Sequence, residues 1–116
     1  MLLATILFAA AVEPIAAAER AFAADSPVLG LHGAFLKHLA DDAIVFDPTP
    51  VPGPARHRDK PPSKGLLSWG PAWVAAAKSG DFGFSAGPSE YRVPGEEKPS
   101  YTGWFFSVWE KQADGA

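Results

Sequence analysis

The sequence predicts an α+β domain in which two N-terminal helices pack on one face of a curved antiparallel sheet. Three observations predict it. Up to Ala40 the apolar residues recur at helical spacing. From Leu67 onward three consecutive segments read as strands, joined by short turn signals. Between these regions lies a proline-rich stretch, and most of the twelve prolines fall from Pro48 to Pro99, which excludes long helices there. Helices grouped ahead of a run of antiparallel strands form two layers around one core.

With 116 residues, 47% of them apolar and 20% charged, the chain is sized and composed for one domain with one core. The net charge of -3 comes with a single basic cluster, Arg56-His57-Arg58-Asp59-Lys60. That cluster lies between prolines and contains an acid, so it reads as a solvated loop and no nucleic-acid partner is expected. The absence of cysteine excludes a disulfide framework, a thiolate nucleophile and zinc–thiolate sites.

Residues 1–11 form an apolar run too short to span a bilayer, so no membrane span is expected. The run matches the apolar core of a secretory signal peptide. Ala9-Ala10-Ala11 supplies a small-residue cleavage site, although the usual basic segment is missing. The expectation is an incomplete export signal and a periplasmic or secreted protein whose single domain covers residues 12–116. The alternative is a buried first helix.

Residues 12–25 read as the first helix, with Ile15, Ala18 and Phe22 on one stripe and Pro14 in the first turn. Asp25-Ser26-Pro27 is the expected break and cap. Residues 30–40 read as the second helix, with Leu31, Phe35 and Leu39 as its stripe. Asp41-Asp42 ends it, and residues 43–46 form a short strand that stops at Asp47-Pro48. Residues 48–65 are a proline-rich excursion with one helical turn expected near Ser63, of the kind that forms lids or pocket mouths. Residues 67–78 read as one strand, in which Pro71 must sit at an edge or a bulge. Ser79-Gly80-Asp81 turns the chain. Residues 82–87 place Phe82, Phe84 and Ala86 on one face and Gly83, Ser85 and Gly87 on the other, and the strand resumes at 90–93.

After a polar loop, residues 101–111 form the last strand. Its two faces are both apolar: Tyr101, Phe105 and Trp109 point one way, and Trp104, Phe106 and Val108 the other. One face can bury against the helices. The second would leave a large aromatic patch in water, which predicts a homodimer through the sheet face. Asp114-Gly115 is a hairpin signal, so a further strand is expected and the domain reads as truncated at its C-terminus.

Several segments, in this order and spacing, resemble the SnoaL-like branch of the nuclear transport factor 2-like superfamily. Within it they are similar to a bacterial domain of unknown function often found in exported proteins. The residues are Glu19-Arg-Ala-Phe-Ala-Ala24, Ala34-Phe35 through Ala40-Asp-Asp-Ala-Ile-Val-Phe-Asp-Pro48, Trp69-Gly-Pro71, Ser79-Gly-Asp-Phe-Gly-Phe84, Gly87-Pro88, and Gly103-Trp-Phe-Phe-Ser-Val-Trp-Glu-Lys-Gln112 with Asp114-Gly115. The resemblance covers residues 12–116. It implies a cone, with N-terminal helices closing a strongly curved antiparallel sheet around a pocket and the final strand of that fold missing. Relatives of this type include polyketide cyclases, a ketosteroid isomerase, dehydratases and non-catalytic binding modules, so the fold does not fix the function.

In a cone of this type Phe22, Trp69, Trp73, Ser85 and Trp104 are the expected pocket residues, around an apolar small molecule. Glu19, Asp47, Tyr91 and Tyr101 are the catalytic candidates. A carboxylate against an apolar wall is a candidate base, and a tyrosine hydroxyl a candidate donor to a carbonyl oxygen. Each has a structural alternative: Glu19 as an acceptor for buried donors, Asp47 as turn chemistry, the tyrosines as half-buried strand residues. His32 and His38 do not share a helix face, and His57 reads as solvated, so no metal site is expected. No cofactor motif is present. Gly80, Gly83 and Gly87 lack the Lys-Ser or Lys-Thr of a phosphate loop. Three readings follow: a small-molecule-binding cone, a cyclase- or isomerase-like enzyme moving a proton next to a carbonyl, and a structural dimerisation module whose pocket is filled by its own tryptophans.

Overall fold

The structure, a computed structural model, describes residues 2–113, and side chains from residue 12 onward. The export-signal expectation rests on residues 1–11 and the Asp114-Gly115 turn on residues 114–116. Neither falls within the described side chains. The fold is α+β. A long helical element packs on an antiparallel sheet, with a small two-stranded sheet beside it. Among the described residues no helix is long and apolar enough to cross a membrane.

The first element, α1 (Leu2–His38), is two helical arms joined at Gly30, whose φ of 78° and ψ of 168° are non-helical. In a straight helix Phe22 and Phe35 would lie about 20 Å apart. Their ring centroids are 4.9 Å apart, so the chain doubles back at Gly30. The reversal therefore falls a few residues after the expected break at Asp25-Ser26-Pro27. Pro27 removes one backbone donor yet leaves a right-handed helix possible, whereas a positive φ requires a residue without Cβ. Asp25 and Ser26 serve the arms instead. Asp25 accepts from His38 Nε2 at 2.7 Å and Lys37 Nζ at 2.9 Å, closing one arm on the other. Hydrogen bonds from Lys37 and then His38 hold the Asp25 carboxyl below its ordinary pKa. Its contribution is present above the ordinary carboxylate pKa and is lost as pH falls through the lowered value. The buried Ser26 hydroxyl donates to Leu67 O at 2.6 Å, fastening the helix to the sheet.

β1 (Ile44–Phe46) and β2 (Pro50–Pro52) form a hairpin around Asp47-Pro48, with Val45 opposite Val51. The helical turn expected near Ser63 occurs earlier, as α2 (Gly53–His57), where Pro54 occupies the first turn that favours proline.

The main sheet contains β3 (Leu66–Trp69), β4 (Trp73–Ala76), β5 (Phe82–Arg92) and β6 (Tyr101–Glu110). β5 is central. β3 and β4 pair with successive halves of one edge, and β6 pairs with the other from Tyr91↔Tyr101 to Phe82↔Glu110. The single strand expected over residues 67–78 is thus two. Trp69 pairs with Ser89 and Trp73 with Ala86. Four steps on one strand match three on the other, so one extra residue bulges at Gly70-Pro71-Ala72 and the faces invert across it. Pro88, which cannot donate, sits in the central strand opposite this interruption and needs no ladder partner there.

The helical layer lies on the face that carries Trp69, Gly83, Ser85, Phe105, Ser107 and Trp109. Those positions are buried or half-buried, while their alternating neighbours are exposed on β6 and half-buried at Phe84 and Ala86 of β5. Of the two apolar faces of β6, the one bearing Phe105 and Trp109 is the inner one.

Candidate functional site

The core is built around a carboxylate. Glu19 is fully buried, on the same helical stripe as Phe22 and Ser26. Its Oε1 accepts from Trp69 Nε1 at 2.7 Å and from Ser107 Oγ at 3.3 Å. Its Oε2 accepts from Ser85 Oγ at 2.7 Å and from Trp109 Nε1 at 2.6 Å. Indole N–H groups can only donate, which fixes Glu19 as the acceptor. One side chain of α1 thereby holds β3, β5 and β6 together. Among the described residues no buried side-chain nitrogen or oxygen lacks a partner.

Aromatic rings enclose this centre. Phe22 meets Trp69 edge-on at 4.8 Å and Trp109 at 6.2 Å, stacks on His38 at 5.0 Å and meets Phe35 at 4.9 Å. The outcome is a polar knot inside an aromatic shell, closed to solvent at Glu19.

Of the five expected pocket residues, Phe22, Trp69 and Ser85 come together here. Trp73 and Trp104 do not. Trp104 lies on the outer face by strand alternation, and the bulge at residues 70–72 sends Trp73 there too. They are 66% and 69% exposed respectively. A regular strand over residues 67–78 would put Trp69 and Trp73 on one face; the bulge around Pro71 puts them on opposite faces. Ser107 and Trp109, absent from the sequence-derived set, complete the centre. Their signal was the alternation with Phe105, which places all three on one side of β6.

The remaining catalytic candidates are dispersed. Asp47 lies at the β1–β2 turn, paired with the Arg56 guanidinium in partial contact with solvent. The Tyr91 hydroxyl accepts from Gly65 N at 2.8 Å and shares a hydrogen bond with Ser63 Oγ at 2.6 Å, pinning the chain ahead of β3 onto β5. Tyr101 is its register partner on β6 and is half exposed. Neither tyrosine hydroxyl is bonded to Glu19 or Asp47. Replacing Tyr91 by Phe is expected to lower stability by about 1 kcal/mol through loss of the Gly65 and Ser63 bonds. Thermal unfolding of that variant checks it, and an unchanged melt would remove the pinning role.

A second cluster joins the second arm of α1 to α2. His57 Nδ1 lies 2.9 Å from His32 Nδ1, and the His57 ring packs on Phe35 at 4.4 Å. His57 is 7% exposed, which corrects its reading as solvated, while Arg58, Asp59 and Lys60 of the same basic cluster are exposed. Arg56 and Lys60 flank it, yet the ring turns inward.

Two of the surface clefts among the described residues are well defined, and neither is lined by Glu19. One, of about 190 Å³, separates residues 29–33 from Lys60, Pro62 and Ser63. The other, of about 440 Å³, is an open groove between the bulge and the Ser89–Glu90 and Thr102–Gly103 segments, with Trp69 at its wall. Among the described residues no group of three or more His, Asp or Glu side chains converges as metal ligands would. The chain matches no family model, no curated protein and no solved structure.

Proposed function

We propose that this chain is a cone domain of the SnoaL-like type that acts as a non-catalytic dimerisation module, with the outer face of its sheet as the working surface. The observation that carries the proposal is the register of that face. Trp73, Ala86 and Phe106 form one row, Ala75, Phe84 and Val108 the next, and Pro88 with Trp104 the row beyond. Trp73, Trp104, Phe106 and Val108 are each more than 60% exposed, and Phe84 stacks on Phe106 at 5.1 Å. A continuous aromatic patch of this kind is uncommon on a monomer.

A second copy fits the patch better than a charged partner. The rows contain no charge, so two copies meet without like-charge repulsion. Charges stand only at the ends, Glu110 at one and Arg92 with Glu90 at the other. A two-fold axis in the sheet plane, across the strands, sets the acidic end of one copy toward Arg92 of the other, as an isologous interface requires. The face measures on the order of 35 by 15 Å from strand rise and spacing. Side-chain relief brings that projected ~500 Å² toward the ~800 Å² per partner of a standard interface.

The interior supports the non-catalytic reading. Glu19, the carboxylate nearest the core aromatics, is committed on both oxygens and closed to any substrate. The tryptophans that fill the core are Trp69 and Trp109.

Light scattering of the full chain is expected to give twice the chain mass. Phe106→Lys is expected to give the single-chain mass with an unchanged circular dichroism spectrum, because an exposed residue is being replaced. A wild-type monomer at micromolar concentration overturns the proposal. If that monomer also binds an apolar dye through the Trp73–Phe106 face, the small-molecule reading takes its place.

A further inference from the structure

We propose that His32 and His57 form an acid-sensitive latch that holds α2 and the loop behind it against α1, and that releases this segment when both rings carry a proton. The geometry carries the inference. The two Nδ1 atoms are 2.9 Å apart and the ring centroids 5.1 Å, close to that separation plus the two ring radii, so the nitrogens point at one another. Such a contact holds when one Nδ1 is protonated and the other bare. A second proton places two N–H groups and two positive charges face to face.

The surroundings set the direction. Burial, first of all, lowers the pKa of His57 from its ordinary 6.5 to about 4. His32, Arg56 and Lys60 add to the lowering, and Asp47 opposes it. Burial likewise lowers that of His32, with Arg56 and then Lys60 adding to it. The ordinary value exceeds the folded one, so the released segment binds more protons than the latched one between about pH 6.5 and 4. The latch is at full strength above that window and weakens as pH falls through it.

The segment has the anchorage of a lid. At its start Gly53 N donates to Ala43 O at 2.8 Å, beside the β1–β2 ladder. At its end Ser63 and Gly65 are held by the Tyr91 hydroxyl. Between these fixed points His57 seats the chain on Phe35, and the cleft beside residues 29–33 lies under Lys60 and Ser63. Release uncovers the Phe35 ring and widens that cleft.

Hydrogen–deuterium exchange of the full chain, as protection factors from about pH 7 down to about 4.5, tests the latch. Protection over residues 53–62 is expected to fall at least tenfold while β5 and β6 keep theirs. His32→Gln retains hydrogen-bonding capacity without titrating, and is expected to shrink that selective fall severalfold, because the second charge is gone while burial still acts on His57. His57→Phe, which keeps the packing on Phe35 and removes the more strongly shifted ring, is expected to shrink it further, and either variant alone suffices if the other fails to fold. Loss of protection over 53–62 only in step with the sheet, or an equal selective fall in a folded variant, overturns the proposal.

Discussion

Glu19→Gln is expected to lower the unfolding free energy by about 3 kcal/mol, although it changes neither the size nor the shape of the side chain. Four donors converge on the two carboxylate oxygens: Trp69 Nε1 and Ser107 Oγ on one, Ser85 Oγ and Trp109 Nε1 on the other. An amide presents one acceptor and one donor, so whichever way it turns, its NH2 meets an indole N–H that cannot accept. Each buried donor left without a partner costs about 1–3 kcal/mol, and a broken buried charged network about 3–5 kcal/mol. Glu19→Ala removes all four acceptor contacts and leaves a cavity besides, so its cost is expected to be larger still. For a domain stabilised by some 5–15 kcal/mol, either change is a large fraction of the total. Ser85→Ala should cost only about 1 kcal/mol, because Oε2 keeps the Trp109 N–H. Urea unfolding followed by circular dichroism gives all three values. A Glu19→Gln variant within about 0.5 kcal/mol of wild type would show that the carboxylate does not tie helix to sheet.

That carboxylate also shows how much of the site was legible in the sequence. The stripe through Ile15, Ala18 and Phe22 identified the buried side of the first helix and put Glu19 at its edge. A carboxylate there needs donors, and the alternation of β6 offered Ser107 and Trp109 on the Phe105 side. What sequence spacing does not contain is the pairing across strands. Trp69 and Trp73 are an even number of residues apart, and only their partners Ser89 and Ala86, an odd number apart, reveal the extra residue that turns Trp73 outward. His57 was hidden for a related reason. Its neighbours Arg56, Arg58, Asp59 and Lys60 give it the local composition of a solvated loop, and its burial depends on Phe35 and His32, which lie far away in sequence. The reversal at Gly30 was displaced toward Pro27 because proline is the louder local signal. Yet only glycine takes the positive φ that a doubling-back of the chain requires there. The helix-then-strand order and the two-sided β6 depended on local periodicity alone, and both were readable.

The close approach of the bulge to β5 leads to the second large effect. Gly87→Ala is expected to destabilise the domain by about 3 kcal/mol and to loosen β3 and β4 specifically, since overpacking against atoms that cannot move aside costs about 1–3 kcal/mol or more. A Cβ at Gly87 would lie 2.1 Å from Gly70 O and 2.9 Å from Ala72 N, both backbone atoms of the bulge. Neither can swing aside as a side-chain tip would. Ala72 N also donates to Ala86 O at 2.8 Å, the bond that restarts pairing after the interruption. Displacing the bulge therefore breaks that bond and moves Trp69, which ends β3, away from Glu19. The damage reaches the core through the indole N–H. Gly83→Ala is a companion test on the helix side, where the added methyl would meet Ile15 Cδ1 at 2.2 Å and Ala75 O at 2.3 Å. Ile15 can change rotamer but the Ala75 carbonyl cannot, so a comparable loss is expected. Tryptophan fluorescence separates the two. Gly87→Ala should expose Trp69 and shift emission to the red under native conditions, whereas Gly83→Ala should lift the Ile15 end of α1 and leave the Trp69 environment closer to wild type. Equal stability of Gly87→Ala and wild type would mean that the bulge does not pack on β5 as the distances require, and the inversion of Trp73 onto the outer face would lose its basis.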